Sequence, residues 1–222
     1  MHIIQKDILR KLAENESLRY AQMKPVGVEG NQFTYHLKTL MKEGFVKKND
    51  RDYSLTTQGV RYTTRVNFEQ FSVRIQPKIV TLIVCKNKEN KYLAYQRNKL
   101  PFIGKFGFPY GKVHLGEQIQ SAAERELEEK TGITASLVQK GIMYITVVDE
   151  IGDIITHMLC HVFSGKDPRD EELKHPPFGE IFWMERQELL DENIMPGVRK
   201  VLEMAESKRK GLEFRECEFQ EI

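Results

Sequence analysis

Between positions 111 and 133 the chain reads GKVHLGEQIQSAAERELEEKTGI, a run whose acidic and basic residues are spaced for chemistry on phosphate. Glu117, Glu126 and Glu129 supply carboxylates, Arg125 a guanidinium and Lys130 an ammonium. On a helix, positions 126, 129 and 130 stand at i, i+3 and i+4 and share one face. Carboxylates gathered there repel one another unless a cation sits between them. Mg²⁺, a hard ion that takes oxygen ligands and keeps several waters, suits such a group. Set against a diphosphate, it would offset developing charge and activate a water for in-line attack at phosphorus. Lys130 changes that balance. At about 4 Å two unit charges interact by roughly 4 kcal/mol at an effective dielectric of 20, so its ammonium competes with a metal for Glu126 and Glu129. Three readings of Lys130 stay open: pairing with those carboxylates, snorkelling outward near the helix C-terminus, or contacting substrate phosphate as a fixed cation.

Positioning these groups requires a helix from Ile119 to Lys130, stopped by Thr131 and Gly132. Residues 78–85 (KIVTLIVC) form an apolar, β-branched run that predicts a strand buried on both faces. A second strand is expected over 91–97, ending at Arg97. The loop 101–111 (PFIGKFGFPYG) then delivers Tyr110 and Gly111, where a bulkier residue would crowd a phosphate beside the turn. Residues 142–148 and 153–163 read as paired strands. His157 and His161 would lie about 13 Å apart along such a strand, so a shared metal is not expected. The loop 166–177 offers Glu171 and Glu172 as further acidic candidates. A closing helix is expected over 195–209, and the tail has the alternation of a short strand.

The first third has a different character. Residues 1–70 hold 12 Lys and Arg against 8 Asp and Glu, within a chain whose net charge is +2. Helical stripes are predicted over 3–13, with Ile3, Ile4, Ile8, Leu9 and Leu12 inward, after Ser17, and over 30–42. In the third, Phe33, Leu37, Leu40 and Met41 face inward, and Tyr35, Lys38, Thr39 and Lys42 lie opposite. Two short strands around the polar turn 49–51 follow. No apolar run approaches the roughly 18 residues that span a bilayer, so no membrane partner is expected. Three cysteines without a C-x-x-C pair fit a reducing compartment, with the cytoplasm as the expected location.

At every fixed position but one, residues 111–133 resemble the Nudix box, G-x5-E-x7-R-E-U-x-E-E-x-G-U with U aliphatic. The exception is Lys130, which replaces the second glutamate of the E-E pair. The approach resembles the family's W-x-x-P-G-G-K-V-E-x-G-E, with Phe106 and Tyr110 in place of the Trp and the first Gly, and with His114 where a glutamate is common. The resemblance implies an α/β fold, a Nudix α/β/α sandwich with a mixed sheet, over residues 76–222. It implies Glu126, Glu129 and Glu117 as ligands of Mg²⁺ or Mn²⁺, and Arg125 as the group that orients them. Lys130 is then the altered catalytic position, and Gly111, Tyr110 and Arg97 lie at the substrate. Family members often draw a base from a loop such as 166–177.

Residues 1–70 resemble bacterial and archaeal winged helix-turn-helix domains. That implies a double-stranded DNA partner, with Gln32, Thr34, Tyr35 and Lys38 at base edges or phosphates. Lys47, Lys48 and Arg51 would lie on the backbone or in the minor groove beside it. Two functions follow. One is a hydrolase of a nucleoside diphosphate linked to another moiety, such as ADP-ribose or a nucleotide sugar. The other is a ligand-sensing transcription regulator, similar to Nudix-related repressors that carry the winged helix after the Nudix domain. Both types of domain are often dimeric, so a homodimer is an expectation.

Overall fold

The structure is a computed structural model and describes all residues of 1–222 except 71, 167, 169–172, 175, 178 and 222. It divides into two compact units, Met1–Ile75 and Gln76–Ile222.

In the first unit the order is α1 (Ile3–Ala13), β1 (Leu18–Arg19), α2 (Tyr20–Met23), α3 (Gly30–Lys42), β2 (Val46–Asn49), β3 (Asp52–Leu55), α4 (Thr57–Thr63), β4 (Val66–Asn67) and β5 (Ser72–Val73). The helical period of 3.6 residues puts Ile4, Ile8, Leu9 and Leu12 of α1 against Phe33, Leu37 and Leu40 of α3. Ile3 departs from the expected stripe: it falls on the far side of α1 and is 67 % exposed. Met41 is only half-buried, and His36 takes the inward place beside Leu37. β2 and β3 pair antiparallel around a turn in which Asp50 adopts the left-handed conformation (φ 53°). β1 adds to β3 to complete a three-stranded sheet. A separate ribbon of β4 and β5 closes the unit.

The second unit is a mixed α/β fold. Its elements are β6 (Lys78–Cys85), β7 (Tyr92–Arg97), β8 (Phe106–Gly107), β9 (Tyr110–Lys112), α5 (Ile119–Thr131), β10 (Ser136–Val148), β11 (Ile154–Lys166), β12 (Gly179–Met184), α6 (Arg186–Asp191), α7 (Val198–Glu206) and β13 (Glu213–Gln220). The larger sheet has the order β13-β10-β11-β6-β9. β10–β11 and β6–β9 pair antiparallel, whereas β11–β6 and β10–β13 pair parallel, so the sheet is mixed. A smaller sheet runs β12-β7-β8.

Alternation along β6 shows how the layers form. Val80 and Val84 pack in a core with Val201 and Leu202 of α7, while Ile83 and Cys85 pack with Ala123 and Leu127 of α5. Successive side chains of a strand point to opposite faces, so α5 and α7 cover opposite faces of the larger sheet. The first two residues of β6, Lys78 and Ile79, are exposed, which shortens the doubly buried stretch expected from the sequence. β10 begins earlier than expected, at Ser136, because it pairs along almost its whole length with β11. The tail strand β13 is held by parallel pairing to β10, and Leu212 and Phe214 remain 64 % exposed. No helix among the described residues is long and apolar enough to cross a membrane.

Candidate active site

α5 runs from Ile119 to Thr131 and stops at Gly132, whose left-handed backbone (φ 75°) lets its N–H donate to the Glu128 carbonyl at 2.8 Å. Ala122, Ala123 and Leu127 fasten one side of the helix to the sheet. Glu126 is buried on that same side, and Arg125 and Glu129 stand beside it toward solvent.

Arg125 is the hub of that cluster. Its Nε and Nη2 donate to the two carboxylate oxygens of Glu117 at 2.7 and 2.9 Å. Nη1 donates to Glu126 Oε1 at 2.9 Å and to Glu129 Oε2 at 3.2 Å, and Nη2 also reaches the Lys112 carbonyl at 3.2 Å. The Glu117 carboxylate further accepts from the His114 backbone N–H at 2.8 Å. These charge-assisted bonds favour the ionised form. The Arg125 bonds first, and the His114 N–H next, hold the Glu117 carboxyl down at about 2. They also raise the Arg125 pKa, Glu117 contributing most.

Glu126 is only 6 % exposed and faces Gly111 of β9. A Cβ at Gly111 would come within 1.7 Å of the Glu126 Cδ. Glycine here leaves room for the Glu126 carboxylate in its present place, and the position is not a tight turn beside phosphate, since Gly111 is a strand residue paired with Thr81. The second oxygen of Glu126, Oε2, lies 3.1 Å from Lys130 Nζ. That ammonium also donates to the Tyr110 backbone carbonyl and stands 4.8 Å from the centre of the Tyr110 ring. Lys130 is thus paired, with Glu126 rather than with Glu129, and it also lines the adjoining cavity, so pairing and contact with a phosphate are compatible. Burial lowers the Lys130 pKa, opposed by Glu126. Glu129 points outward, its side chain 62 % exposed.

Beside the cluster is a cavity of about 780 Å³. Val80, Leu82, Phe108, Ile145 and Met158 give it an apolar wall. Lys78, Arg97, Lys99, Lys112, Arg125 and Lys130 line it as well, against the carboxylates Glu126 and Glu129. Among the described residues, its wall thus carries six Lys or Arg side chains and two acids. Gly111 and Tyr110 border it, whereas Glu117 stands behind Arg125 and is not part of the wall. Arg97 is 6 % exposed. Its Nε donates to the carbonyls of Lys99 and Pro101 at 2.8 and 2.5 Å, its Nη2 to Leu100 O at 2.8 Å, and its Nη1 to the Tyr110 hydroxyl. Arg97 holds the 99–101 loop and Tyr110 in place instead of offering its nitrogens to a ligand.

The carboxylates are donors of the type Mg²⁺ takes, but their present arrangement does not fit a resident divalent metal. Arg125 occupies both oxygens of Glu117, and Arg125 and Lys130 divide those of Glu126. Among the described residues no three His, Cys, Asp or Glu group as a metal site. His161 Nδ1 is 2.9 Å from the Gln139 amide, and His157 packs on Tyr144 at 4.5 Å between ring centres. Glu171 and Glu172 lie outside the described residues.

In the first unit, Gln32, Lys38, Lys47 and Arg51 are exposed, and Tyr35 is 67 % exposed. Thr34 is half-buried, with its hydroxyl 2.9 Å from that of Tyr20. Lys48 Nζ lies 5.7 Å from the Tyr53 ring centre. His36 is packed inward and stacked on His2 at 4.1 Å, and burial lowers its pKa.

Comparison with known proteins agrees with this division. Residues 76–205 match the profile of the NUDIX domain, and residues 3–66 match that of a domain of unknown function, DUF7347. An ADP-ribose pyrophosphatase from Methanocaldococcus jannaschii is 29 % identical over 85 residues, 36 % of this chain and 50 % of the relative. The chain thus spans about half the length of that relative. Among solved structures, a mutator MutT protein from Bacillus halodurans superposes with a TM-score of 0.54 at 27 % identity. The match covers 64 % of this chain and 90 % of that one. The NUDIX domain of Shewanella oneidensis NrtR, crystallised with ADP ribose, shares the fold with a TM-score of 0.50 at 18 % identity. It covers 68 % of this chain and 97 % of that domain.

Proposed function

From a chain that belongs to the NUDIX domain family over residues 76–205, we propose that the second unit binds a nucleoside diphosphate joined to a second group and hydrolyses it slowly. The ligand is of the ADP-ribose or nucleotide-sugar type. The observation that carries this reading is the cavity itself, with one apolar wall and a rim of cations beside the Arg125 cluster. A concave site of this size, mostly apolar with a few convergent charged groups, suits a nucleoside at one end and phosphates at the other. The relative named ADP-ribose pyrophosphatase supports the choice within that class.

Within the site, Arg125 and Lys130 offset charge on the phosphates. Glu129 lines the cavity, and its Oε1 has no hydrogen-bond partner among the described residues. In this reading it is the carboxylate that accepts a proton from an attacking water. Turnover is slow because both oxygens of Glu126 and one of Glu129, which would hold the family's typical Mg²⁺, are already bound to cations. The test is release of AMP from ADP-ribose in the presence of Mg²⁺. Wild type is expected to turn over slowly, and Lys130→Glu to raise the rate about tenfold or more. An unchanged or lower rate in a folded variant counts against this reading.

A second activity is favoured by the first unit. The order α1–β1–α2–α3–β2–β3, with a three-stranded sheet and a cationic β2–β3 hairpin, supports a winged helix that binds double-stranded DNA. α3 would enter the major groove with Gln32, Tyr35 and Lys38, and Lys47, Lys48 and Arg51 would contact phosphates. Occupation of the second unit then biases DNA binding by the first, a regulator with a slow hydrolase for a sensor. Affinity for duplex DNA should fall steeply with added salt. A flat salt response in a fluorescence titration removes this activity.

A further inference from the structure

The place of Lys130 carries an inference that rests on the ligand reading above and deepens it. Its ammonium lies between a backbone carbonyl, Tyr110 O, and a buried carboxylate oxygen, Glu126 Oε2. Two hard oxygens facing one gap are what a small cation requires, and the side chain supplies that cation itself. Gly111 leaves the space in which the Glu126 carboxylate packs against β9 beside Tyr110, where a Cβ would lie 1.7 Å from its Cδ. The cavity wall independently points the same way. Even with Arg97 turned onto its own loop and Glu117 paired to Arg125 from behind, the described residues leave five Lys or Arg against three acids, so the wall is positive with no added ion.

We propose that Lys130 is a tethered counter-ion that permanently fills this oxygen pair, so that the pocket takes a diphosphate-bearing ligand without a divalent metal. The ligand class follows from the charge. A nucleotide that arrives free of Mg²⁺, with its full negative charge, matches a wall of excess cations, whereas a Mg²⁺-neutralised one gains less from it. Lys130 is thus a specificity-determining residue that selects the metal-free form of the ligand.

Two arms test this on the full chain. In the first, Mn²⁺ alone is titrated and free ion is followed by electron paramagnetic resonance. Wild type is expected to show no tight site, and Lys130→Glu to bind Mn²⁺ at least about tenfold more tightly. Equal Mn²⁺ affinity in the two proteins overturns the proposal. Lys130→Met, which keeps the stem and removes the charge, guards against a variant that fails to fold. It should gain weaker Mn²⁺ binding than Lys130→Glu, and Mn²⁺ affinity no higher than that of wild type would count against the proposal. In the second arm, ADP-ribose is titrated calorimetrically with Mg²⁺ or with EDTA. Wild-type affinity is expected to be as high in EDTA as in Mg²⁺. Lys130→Met should lose about tenfold in EDTA, and Lys130→Glu should bind only with Mg²⁺. Wild-type binding that requires Mg²⁺ overturns the proposal. If ADP-ribose binds under neither condition, the ligand reading falls, and the Mn²⁺ arm still decides the role of Lys130.

Discussion

α3 and α5 are both thirteen-residue helices with one apolar side and one polar side, yet their polar sides are organised in opposite ways. On α3, the side chains of Gln32 and Lys38 make no hydrogen bond or ion pair among the described residues, and Tyr35 projects into solvent. On α5, Arg125 joins Glu117, Glu126 and Glu129, and Lys130 is fixed on Glu126 and on the Tyr110 carbonyl. Groups tied to one another hold a set geometry before any ligand arrives, which suits a small molecule bound in a cavity. Groups left loose keep their rotamer freedom and suit an extended polyanion, where the sum of charges matters more than any single distance. The same helical periodicity thus supports two kinds of recognition, and the difference lies in what each polar side chain touches.

The contrast can be broken most sharply at the tied end. Gly111→Ala sets a methyl group where the Glu126 carboxylate lies, and the loss of stability is expected to be about 3 kcal/mol, as for other overpacked sites. Denaturant unfolding measures it, and a change below about 0.5 kcal/mol would show that Glu126 moves aside freely. Arg125→Met comes next. It leaves Glu126 with Lys130 alone and Glu117 with only the His114 N–H, an expected cost of about 2 kcal/mol. The same variant should bind ADP-ribose more weakly, because Glu126 and Glu129 then border the phosphates without their guanidinium.

The acid limb offers a finer measure. Glu117 is held at about 2, below the ordinary 4.5. A depressed carboxyl contributes stability that is fully present above its ordinary value and is lost as pH falls through the folded one. Between about 4.5 and 2, wild type should therefore lose stability faster with falling pH than Glu117→Gln does. Parallel curves would mean that the Arg125–Glu117 pair adds nothing in solution. The smallest effect on stability belongs to the loose end. Lys38→Ala with Lys47→Ala should shift unfolding by less than about 0.5 kcal/mol, while the salt dependence of duplex binding becomes shallower by roughly two counter-ions. An unaltered slope would remove both lysines from the interface.

Much of this contrast was legible in the sequence, because periodicity and caps are local signals. α3 occupies the residues expected of it, and α5 begins at Ile119 and stops at Gly132 as the Thr-Gly pair indicated. The carboxylate spacing likewise announced a cluster. What the sequence left open depended on backbone atoms and on distant partners. The oxygen that holds Lys130 is the Tyr110 carbonyl, twenty residues away, and a carbonyl has no letter of its own. For the same reason, nothing in the sequence marked Arg97 as turned onto the carbonyls of residues 99–101. The share of Arg125 taken by Glu117 depends on the loop before α5 folding back over eight positions. Ile3 was misplaced because the burial stripe of α1 is narrower than its set of apolar residues.

The contact between Gly111 and Glu126 also constrains how such a site can change over generations. While the acid at 126 keeps its place between Arg125 and Lys130, a side chain at 111 can enter only by pushing that carboxylate aside. Position 130 has no such lock, since its side chain reaches the pocket by its tip alone. Drift in a lineage carrying this fold would therefore begin at the end of the helix and leave the strand for last.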